Sequence, residues 1–246
     1  MNRVAAVLFD FGGTLDHDGR DWCARLYEAV RRRGAAEEAP EFEQQVSAAA
    51  GAMDGLADTR QLTMAATVER LCRLVHQRRG GGAQWDPAEV AREFVAESLG
   101  YLRRNRAVLA ELAGQYRLGV ISNNWGNTRG WCEEYGFSAY LEAIIDSAAV
   151  GAAKPARAIF AAALTALGLP AEACVYVGDR YESDVLGARA AGLGAIWITG
   201  ADGRDGPDAD AALGRIRRLT DLPGVLRARL TLSAPQPSES RRDEAG

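Results

Sequence analysis

Four short segments of this 246-residue chain carry side chains that could act together chemically. They are VLFDFGGTLD with Asp10, GVISNN with Ser122, GAAKP with Lys154, and VYVGDRYESD with Asp179 and Asp184. A carboxylate can attack phosphorus, while hydroxyl and amine groups can stabilise phosphoryl oxygens. The combination is therefore suited to transfer of a phosphoryl group.

The first segment places a carboxylate immediately after an apolar run. Asp10 is followed by Gly12 and Gly13, so the backbone can turn sharply and its amides can approach an anion closely. Asp10 is a candidate nucleophile that would form an acyl phosphate, a candidate metal ligand, or both. A turn accounts for Asp10 alone equally well, so the prediction depends on the other segments.

The fourth segment has the form Gly-Asp-x-x-x-x-Asp. If Asp179 and Asp184 lie near Asp10, the carboxylates repel one another and raise each other's proton affinity. A hard, oxygen-seeking cation such as Mg²⁺ relieves that repulsion. The sequence therefore predicts a magnesium site at these acids, the alternative being that Asp179 and Asp184 are loop and helix-cap residues.

The second and third segments offer hydrogen-bond donors and a positive charge. Ser122 and Asn123 can donate to phosphoryl oxygens, and Lys154, followed by Pro155 at a predicted helix start, can bring charge to the same oxygens. Each segment alone is also typical of a turn or of a solvated lysine. Ser122, Asn123 and Lys154 are accordingly candidate phosphate-binding residues.

Short apolar runs alternate with helical stretches, a pattern that favours a parallel sheet covered by helices on both faces. The runs are residues 4–9, 118–121, 143–145, 174–177 and 195–199. Asp10, Ser122 and Asp179 follow the first, second and fourth runs. Because ligands bind beyond the carboxyl ends of such strands, three strands would deliver these side chains to one edge.

The stretch between residues 17 and 106 has helical periodicity and no convincing strand run. Helical patterns cover residues 23–33, 62–79 and 87–104, with a loop at 80–82, and Asp86 with Pro87 predicts where the last helix begins. We predict an α/β core, an inserted helical domain and a disordered tail rich in Pro, Ser and charge. Their bounds are 1–16 with 107–232, 17–106, and 233–246.

In order and spacing, these segments resemble the motifs of the haloacid dehalogenase (HAD) superfamily of hydrolases. FDFGGTLD is similar to the first motif, VISNN to the second, Lys154-Pro155 to the third and VGDRYESD to the fourth. The resemblance covers about residues 3–199. It implies a Rossmann-like core with a helical cap inserted after the first motif.

The resemblance also implies roles for single residues. Asp10 would attack phosphorus, the backbone carbonyl of Gly12 and the side chain of Asp179 would bind Mg²⁺, and Asp184 would support the metal site. The phosphoryl group would be held, and its charge screened, by Thr14, Ser122 and Lys154. The expected activity is Mg²⁺-dependent hydrolysis of a small phosphorylated metabolite through an aspartyl-phosphate intermediate.

Gly12 departs from the pattern, because phosphatases of that superfamily usually carry an Asp here that protonates the leaving oxygen and later activates water. Loss of a positioned acid and base typically lowers a rate by about 10²–10⁴-fold. Three outcomes follow. The leaving group needs little protonation, as in an acyl phosphate or anhydride; another acid is recruited, such as Asp16, His17, Asp18 or a substrate group; or catalysis is weak.

Four large side chains near the motifs are candidates for selecting the substrate. Trp125 follows the Ser-Asn pair and Tyr181 lies inside the acidic segment, so either could line an entrance. Trp22 and Arg25 open the first predicted helix of the insert, a region that faces the core in the resembled fold. The substrate itself is not named by these residues.

Composition excludes some classes of partner. The net charge of −4 and the pI near 5.4 leave no sequence-wide basic surface, so nucleic acid is a poor partner. The N-terminal apolar stretch VAAVLF has only six residues, which predicts neither a leader nor a membrane span. Scattered cysteines without a CxxC pair favour a reducing compartment, so we expect a cytoplasmic protein of undetermined oligomeric state.

Two alternatives to a phosphohydrolase remain open. Carbon–halogen hydrolysis would use Asp10 against carbon without a metal, but members of the superfamily with that activity lack the paired acids of the fourth motif, so Asp179 and Asp184 count against it. A catalytically weak binding or regulatory protein is the second alternative, and Gly12 motivates it directly.

Overall fold

The computed structural model describes residues 4–35, 38–54, 56–79, 85–201, 203 and 212–232. Within them lies a six-stranded sheet with the order β3-β2-β1-β4-β5-β6, in which every pairing is parallel. The strands are β1 (Ala6–Phe9), β2 (Arg117–Ser122), β3 (Ala143–Asp146), β4 (Cys174–Gly178), β5 (Gly194–Ile198) and β6 (Gly214–Ile216). The predicted loop at 80–82 and the predicted tail at 233–246 lie outside the described residues.

Both faces of the sheet are buried. In β1, Val7 and Phe9 belong to one apolar cluster, whereas Ala6 and Leu8 belong to a second cluster on the other face. A strand covered on both sides needs apolar residues at every position, which explains the continuous runs in the sequence. The prediction of a parallel α/β sheet flanked by helices is confirmed.

The register brings the polar ends of the strands to one edge. Phe9 of β1 pairs with Val120 of β2 and with Val177 of β4, and the Asp10 N–H donates to the Val177 carbonyl at 2.9 Å. The segments that follow β1, β2 and β4 therefore emerge side by side, as expected for parallel strands.

Four α-helices and a 3-10 helix (Ala57–Gln61) separate β1 from β2, and the described residues between those two strands contain no other strand. The α-helices are α1 (Trp22–Arg31), α2 (Ala39–Asp54), α3 (Met64–Arg78) and α4 (Pro87–Ala113). Asp86 caps α4 by accepting from the Ala88 N–H at 3.0 Å, with Pro87 in the first turn as predicted. Because α4 runs to Ala113 and also contacts β2, the predicted boundary at residue 106 falls inside a helix.

Five further helices complete the described chain: α5 (Thr128–Glu134), α6 (Ser147–Val150), α7 (Arg157–Leu167), α8 (Gly187–Ala190) and α9 (Leu222–Leu232). A π-helical turn, Tyr181–Leu186, lies directly before α8. In the part of the chain that the structure covers, no helix combines the length and apolar character needed to cross a bilayer.

Candidate active site

Three carboxylates converge at the carboxyl edge of the sheet. Asp10 follows β1, Asp179 follows β4, and Asp184 lies in the π-helical turn. One oxygen from each lies within 4.8 Å of the other two, and all three side chains are buried. The structure thus brings together the acids of the first and fourth sequence segments.

Two glycines allow this close approach. A Cβ on Gly13 would lie 2.5 Å from Asp179 Oδ2, and the φ of +87° at Gly13 is itself unfavourable for other residues. A Cβ on Gly178 would lie 2.5 Å from the Asp184 side chain. Larger residues at either position would displace a carboxylate from the cluster.

Lys154 lies between the acids and is the only lysine in the sequence. Its Nζ donates to Asp10 Oδ1 at 2.7 Å, to Asp184 Oδ1 at 2.7 Å and to the Tyr176 hydroxyl at 2.8 Å. An ammonium group has three donors, and here each one meets an acceptor. The contact fixes the orientation of the Asp10 carboxylate.

Burial opposes the charged forms of the acids. It raises the pKa of Asp10 to about 6 although Lys154 acts in the opposite direction, and Asp184 raises it further. Burial also holds the pKa of Asp179 well above its usual range, with added repulsion from Asp10 and Asp184. Burial alone would lower the pKa of Lys154, but the two carboxylates raise it above its ordinary value. One ammonium group therefore contacts two of the three clustered acids.

The donor set fits a divalent cation. Asp179 Oδ2 is buried and has no hydrogen-bond partner among the described residues, and its Oδ1 receives only a long bond of 3.4 Å from the Thr14 hydroxyl. Buried carboxylate oxygens normally have a partner, and clustered oxygen ligands are what Mg²⁺ prefers. Thr14 is fully buried and points to Asp179, which differs from its predicted contact with a phosphoryl group.

The second sequence segment supplies one hydrogen-bond donor at the cavity and one positioning residue. Ser122 ends β2 and lines the cavity beside Asp10. Asn123 also lines it, but its side chain accepts from the Lys154 N–H at 2.7 Å and donates to the Lys154 carbonyl at 3.0 Å. Asn123 therefore holds the segment that carries Lys154, a contact that the sequence prediction did not include.

A cavity of about 380 Å³ opens above Asp10. Its floor is formed by residues at the sheet edge: Asp10, Gly12, Ser122, Asn123 and Lys154. Its walls are formed mainly by apolar side chains: Trp22, Cys23, Val46, Ala50, Leu71, Trp125 and Trp131. The remaining polar lining comes from Asp21, Asn124, Arg180 and Ser183.

Gly12 and Trp22 occupy adjoining space. A Cβ on Gly12 would lie 3.2 Å from Trp22 Nε1 and 3.4 Å from its Cδ1. The indole N–H donates to Asp16 Oδ2 at 2.8 Å, which holds the ring in this place. The volume next to position 12, where an acid would stand, is therefore partly filled by Trp22.

Asp16 is not a replacement acid, because its carboxylate is buried in a structural network. It accepts from the Gly13 N–H at 2.6 Å, from Trp22, and from Arg25 Nη1 at 3.0 Å. Arg25 also bonds Ser98 Oγ at 2.6 Å and Glu97 Oε2 at 3.2 Å on α4. Arg25 is thus not at the cavity wall, contrary to its predicted role in substrate selection; it joins α1 and α4 to the loop after β1.

Replacing Arg25 with Met is expected to lower the free energy of unfolding by about 3–5 kcal/mol, because it leaves the buried Asp16 without its charge partner. The matched control is Arg32→Met at the end of the same helix, where the pairing with Glu93 is exposed and worth at most about 1 kcal/mol. Urea unfolding followed by circular dichroism measures both. Equal losses for the two variants would contradict the assignment.

His17 and Asp18 are also engaged away from the cavity. Asp18 Oδ1 accepts from Arg104 Nη2 at 2.7 Å and from the Leu219 N–H at 3.0 Å. The His17 ring lies 4.2 Å from that of Tyr101. None of the three residues considered as rescuing acids lines the cavity.

The structure separates the two remaining candidates for substrate selection. Trp125 lines the cavity, whereas Tyr181 is buried against Trp197, with ring centroids 5.2 Å apart, and is not part of the wall. Among the residues that the sequence analysis did not identify are Arg180, which lines the cavity, and Tyr176, which contacts Lys154. A tyrosine within the otherwise aliphatic run of β4 was the available signal for Tyr176.

Comparison with known families agrees with this geometry. A family model described as haloacid dehalogenase-like hydrolase matches residues 4–192. The chain belongs to this family. The matched range includes all four segments and every strand up to β4.

Several relatives of this chain are named as phosphatases or as a nucleotidase. Pyrimidine 5'-nucleotidase YjjG of Escherichia coli (strain K12) is 33% identical over 122 residues, which cover 49% of this chain and 54% of the relative. Glyceraldehyde 3-phosphate phosphatase of Methanothermobacter thermautotrophicus is 38% identical over 85 residues, 34% of this chain and 37% of the relative. The chain spans about half the length of these relatives or less.

Solved HAD structures share the whole fold at low identity. The L-2-haloacid dehalogenase RSc1362 superposes with a TM-score of 0.62 at 20% identity, covering 92% of this chain and all (100%) of that one. The putative HAD-hydrolase YfnB from Bacillus subtilis, bound to magnesium, gives 0.57 at 18% identity, covering 92% and 99%. At these identities the likeness concerns the fold alone.

Proposed function

We propose that this HAD-like hydrolase is a phosphohydrolase that moves a phosphoryl group from a small phosphorylated molecule to Asp10 and then to water. The observation that carries the proposal is the buried cluster of Asp10, Asp179 and Asp184 around Lys154 at the base of a cavity. Relatives named as phosphatases support it. The substrates mentioned in those names are substrates of the relatives, and none of them is assigned to this chain.

The residues at the base of the cavity have separate roles in this proposal. Lys154 orients the Asp10 carboxylate toward the cavity, and its positive charge faces the phosphoryl oxygens once substrate is present. Ser122, at the end of β2, donates a hydrogen bond to one of those oxygens. The helices α1–α4 form a cap that excludes water while Asp10 attacks.

Magnesium fits this site. Asp179, Asp184, Asp10 and the backbone carbonyl of Gly12 would hold it, and the partnerless Asp179 Oδ2 is the observation that supports this assignment. When bound, Mg²⁺ supplies positive charge that neutralises the acids and polarises phosphoryl oxygen. The Bacillus subtilis structure named as bound to magnesium supports the proposal.

Two other functions are alternatives that experiment can distinguish from a phosphohydrolase. A metal-free attack on carbon does not explain why three buried acids converge, since Lys154 pairs with only two of them and Asp179 still experiences repulsion from Asp10 and Asp184. A binding protein without turnover is motivated by Gly12 and by Trp22, which fills the adjoining space. Absence of phosphate release from every ester and acyl phosphate would favour that second reading.

The proposal is tested by removal of the metal and of one ligand. Chelation of Mg²⁺ is expected to lower phosphate release at least about 10²-fold, because metal charge contributes several kcal/mol in such reactions. Asp179→Asn is expected to raise the Mg²⁺ concentration for half-maximal activity at least about tenfold. Phosphate release and the Mg²⁺-dependent shift in melting temperature are both measured. Asp54→Asn, on the exposed end of α2, is the matched control; equal Mg²⁺ responses in both variants would reject the site.

A further inference from the structure

The wall of the cavity above Asp10 is unusually rich in indole rings whose N–H groups are already bonded. Trp22 Nε1 donates to Asp16 Oδ2 at 2.8 Å, Trp125 Nε1 to the Ala50 carbonyl at 3.1 Å, and Trp131 Nε1 to the Leu62 carbonyl at 3.1 Å. Trp22 and Trp125 therefore offer carbon surface to a ligand and no free N–H donor, and the buried Trp131 stacks against Trp22 with ring centroids 5.5 Å apart. Such a wall favours an apolar, planar group.

The dimensions of the cavity agree with one ring. A dry cavity of about 150 Å³ is enough to bind benzene. The cavity above Asp10 has about 380 Å³, which leaves room for a phosphoryl group at the floor beside a single aromatic ring. Val46, Ala50 and Leu71 extend the apolar surface around the place of that ring.

Position 12 points to the same kind of molecule by an independent argument. Gly12 supplies no acid, Trp22 partly fills the adjoining space, and Asp16 is committed to its own network. Among the described residues, Asp21 is the other carboxylate that lines the cavity. It is the N-cap of α1 and accepts from the Ala24 N–H. The floor therefore offers no positioned group dedicated to protonating a leaving oxygen.

A leaving group of low proton affinity does not need an acid to protonate it. The conjugate acid of an aryl oxide has a pKa of about 10, as in tyrosine. An alkoxide is far more basic, closer to hydroxide, whose conjugate acid has a pKa of about 15.7. An aryl oxide can thus depart unprotonated where an alkoxide cannot.

We propose that the substrate is an aryl phosphate, an aromatic ring whose own oxygen carries the phosphoryl group. This inference rests on the proposed function and narrows it to a substrate class. An Asp10 oxygen forms a bond to phosphorus, and the bond between phosphorus and the aryl oxygen breaks. The aryl oxide leaves with the electron pair and takes a proton from solvent. Water then attacks phosphorus, which releases phosphate and restores the Asp10 carboxylate.

Four phosphates separate ring recognition from leaving-group basicity. Phenyl phosphate has a ring and a weakly basic leaving group, benzyl phosphate a ring and a strongly basic one, acetyl phosphate a weakly basic group without a ring, and ethyl phosphate neither. With Mg²⁺ present, kcat/KM for phenyl phosphate is expected to exceed that for benzyl phosphate at least about 10²-fold, the usual contribution of a missing acid. Phenyl phosphate is also expected to have a lower KM than acetyl phosphate.

A wall variant tests the ring directly. Trp125→Leu is expected to raise KM for phenyl phosphate about two- to tenfold, the range for loss of one aromatic contact, while KM for acetyl phosphate stays constant. A parallel rise for both substrates would indicate a general disturbance and overturn ring recognition. Circular dichroism confirms that the variant is folded.

The four compounds distinguish a failure of the aryl-phosphate proposal from a failure of the proposed phosphohydrolase activity. No phosphate from any of the four compounds would reject the phosphohydrolase itself. Turnover of benzyl or ethyl phosphate at a rate near that of phenyl phosphate would leave the phosphohydrolase intact and overturn the aryl phosphate. A KM for acetyl phosphate equal to or below that for phenyl phosphate would overturn the aromatic part of the proposal.

Discussion

Asp10→Asn is expected to lower phosphate release by about 10⁴–10⁶-fold, the range found when the nucleophilic machinery of other hydrolases is removed. The amide has nearly the shape of the carboxylate but does not attack phosphorus. It also removes the charge that Lys154 Nζ contacts at 2.7 Å. The measurement is phosphate release from phenyl and acetyl phosphate at saturating Mg²⁺.

The control for this prediction is Asp54→Asn, the same chemical change on an exposed turn of α2. It is expected to retain wild-type activity. The melting temperature of Asp10→Asn shows whether the site remains folded. If folded Asp10→Asn keeps activity within about tenfold of wild type, a loss too small for a nucleophile, Asp10 is not the attacking group.

Gly12→Asp is the second large effect, and it should change which substrates are used. An acid at position 12 is expected to raise kcat/KM for benzyl phosphate by about 10²–10⁴-fold, while kcat/KM for phenyl phosphate, which reports the transfer to Asp10, changes little because its leaving group needs no proton. Gly12 has no positive φ, so its backbone accepts a side chain. The measurement is the ratio of kcat/KM for the two esters.

Trp22 determines whether this gain appears in the single variant. A Cβ at position 12 would meet Trp22 Nε1 at 3.2 Å, so the indole must shift by a few tenths of an ångström. The double variant Gly12→Asp/Trp22→Phe has a smaller ring there and is expected to show the larger gain. Gly100→Asp, on an exposed turn of α4 with open space around it, is the matched control. No gain for benzyl phosphate in a folded double variant would show that the missing acid is not what limits alkyl esters.

The sheet could be predicted because its strands are buried on both faces. Every position of β1 must be apolar, so the run before Asp10 was visible in the sequence. β6 (Gly214–Ile216) was missed because a three-residue strand at the edge, with an exposed Arg215, carries no such run. Helix α2 was not singled out, since its alanine-rich sequence gives only a weak amphipathic pattern.

The identity of the acids could be predicted, but the partners of the polar side chains could not. Asn123 follows a strand as a phosphate ligand would, yet it bonds the Lys154 backbone across 31 positions of sequence. Arg25 opens α1 as expected, yet its direction is set by Asp16 and Ser98 from distant segments. Such contacts depend on packing in three dimensions, which spacing along the chain does not encode.

Trapping the covalent intermediate tests the central claim most directly. Because Gly12 supplies no base to activate water, the phosphoryl group is expected to remain on the protein long enough to be captured by acid quenching. Mass spectrometry of wild-type protein mixed with Mg²⁺ and phenyl phosphate should then find one phosphoryl group, on the peptide that contains Asp10. A phosphoryl group on another residue, or full turnover with no adduct at any quench time, would contradict the account.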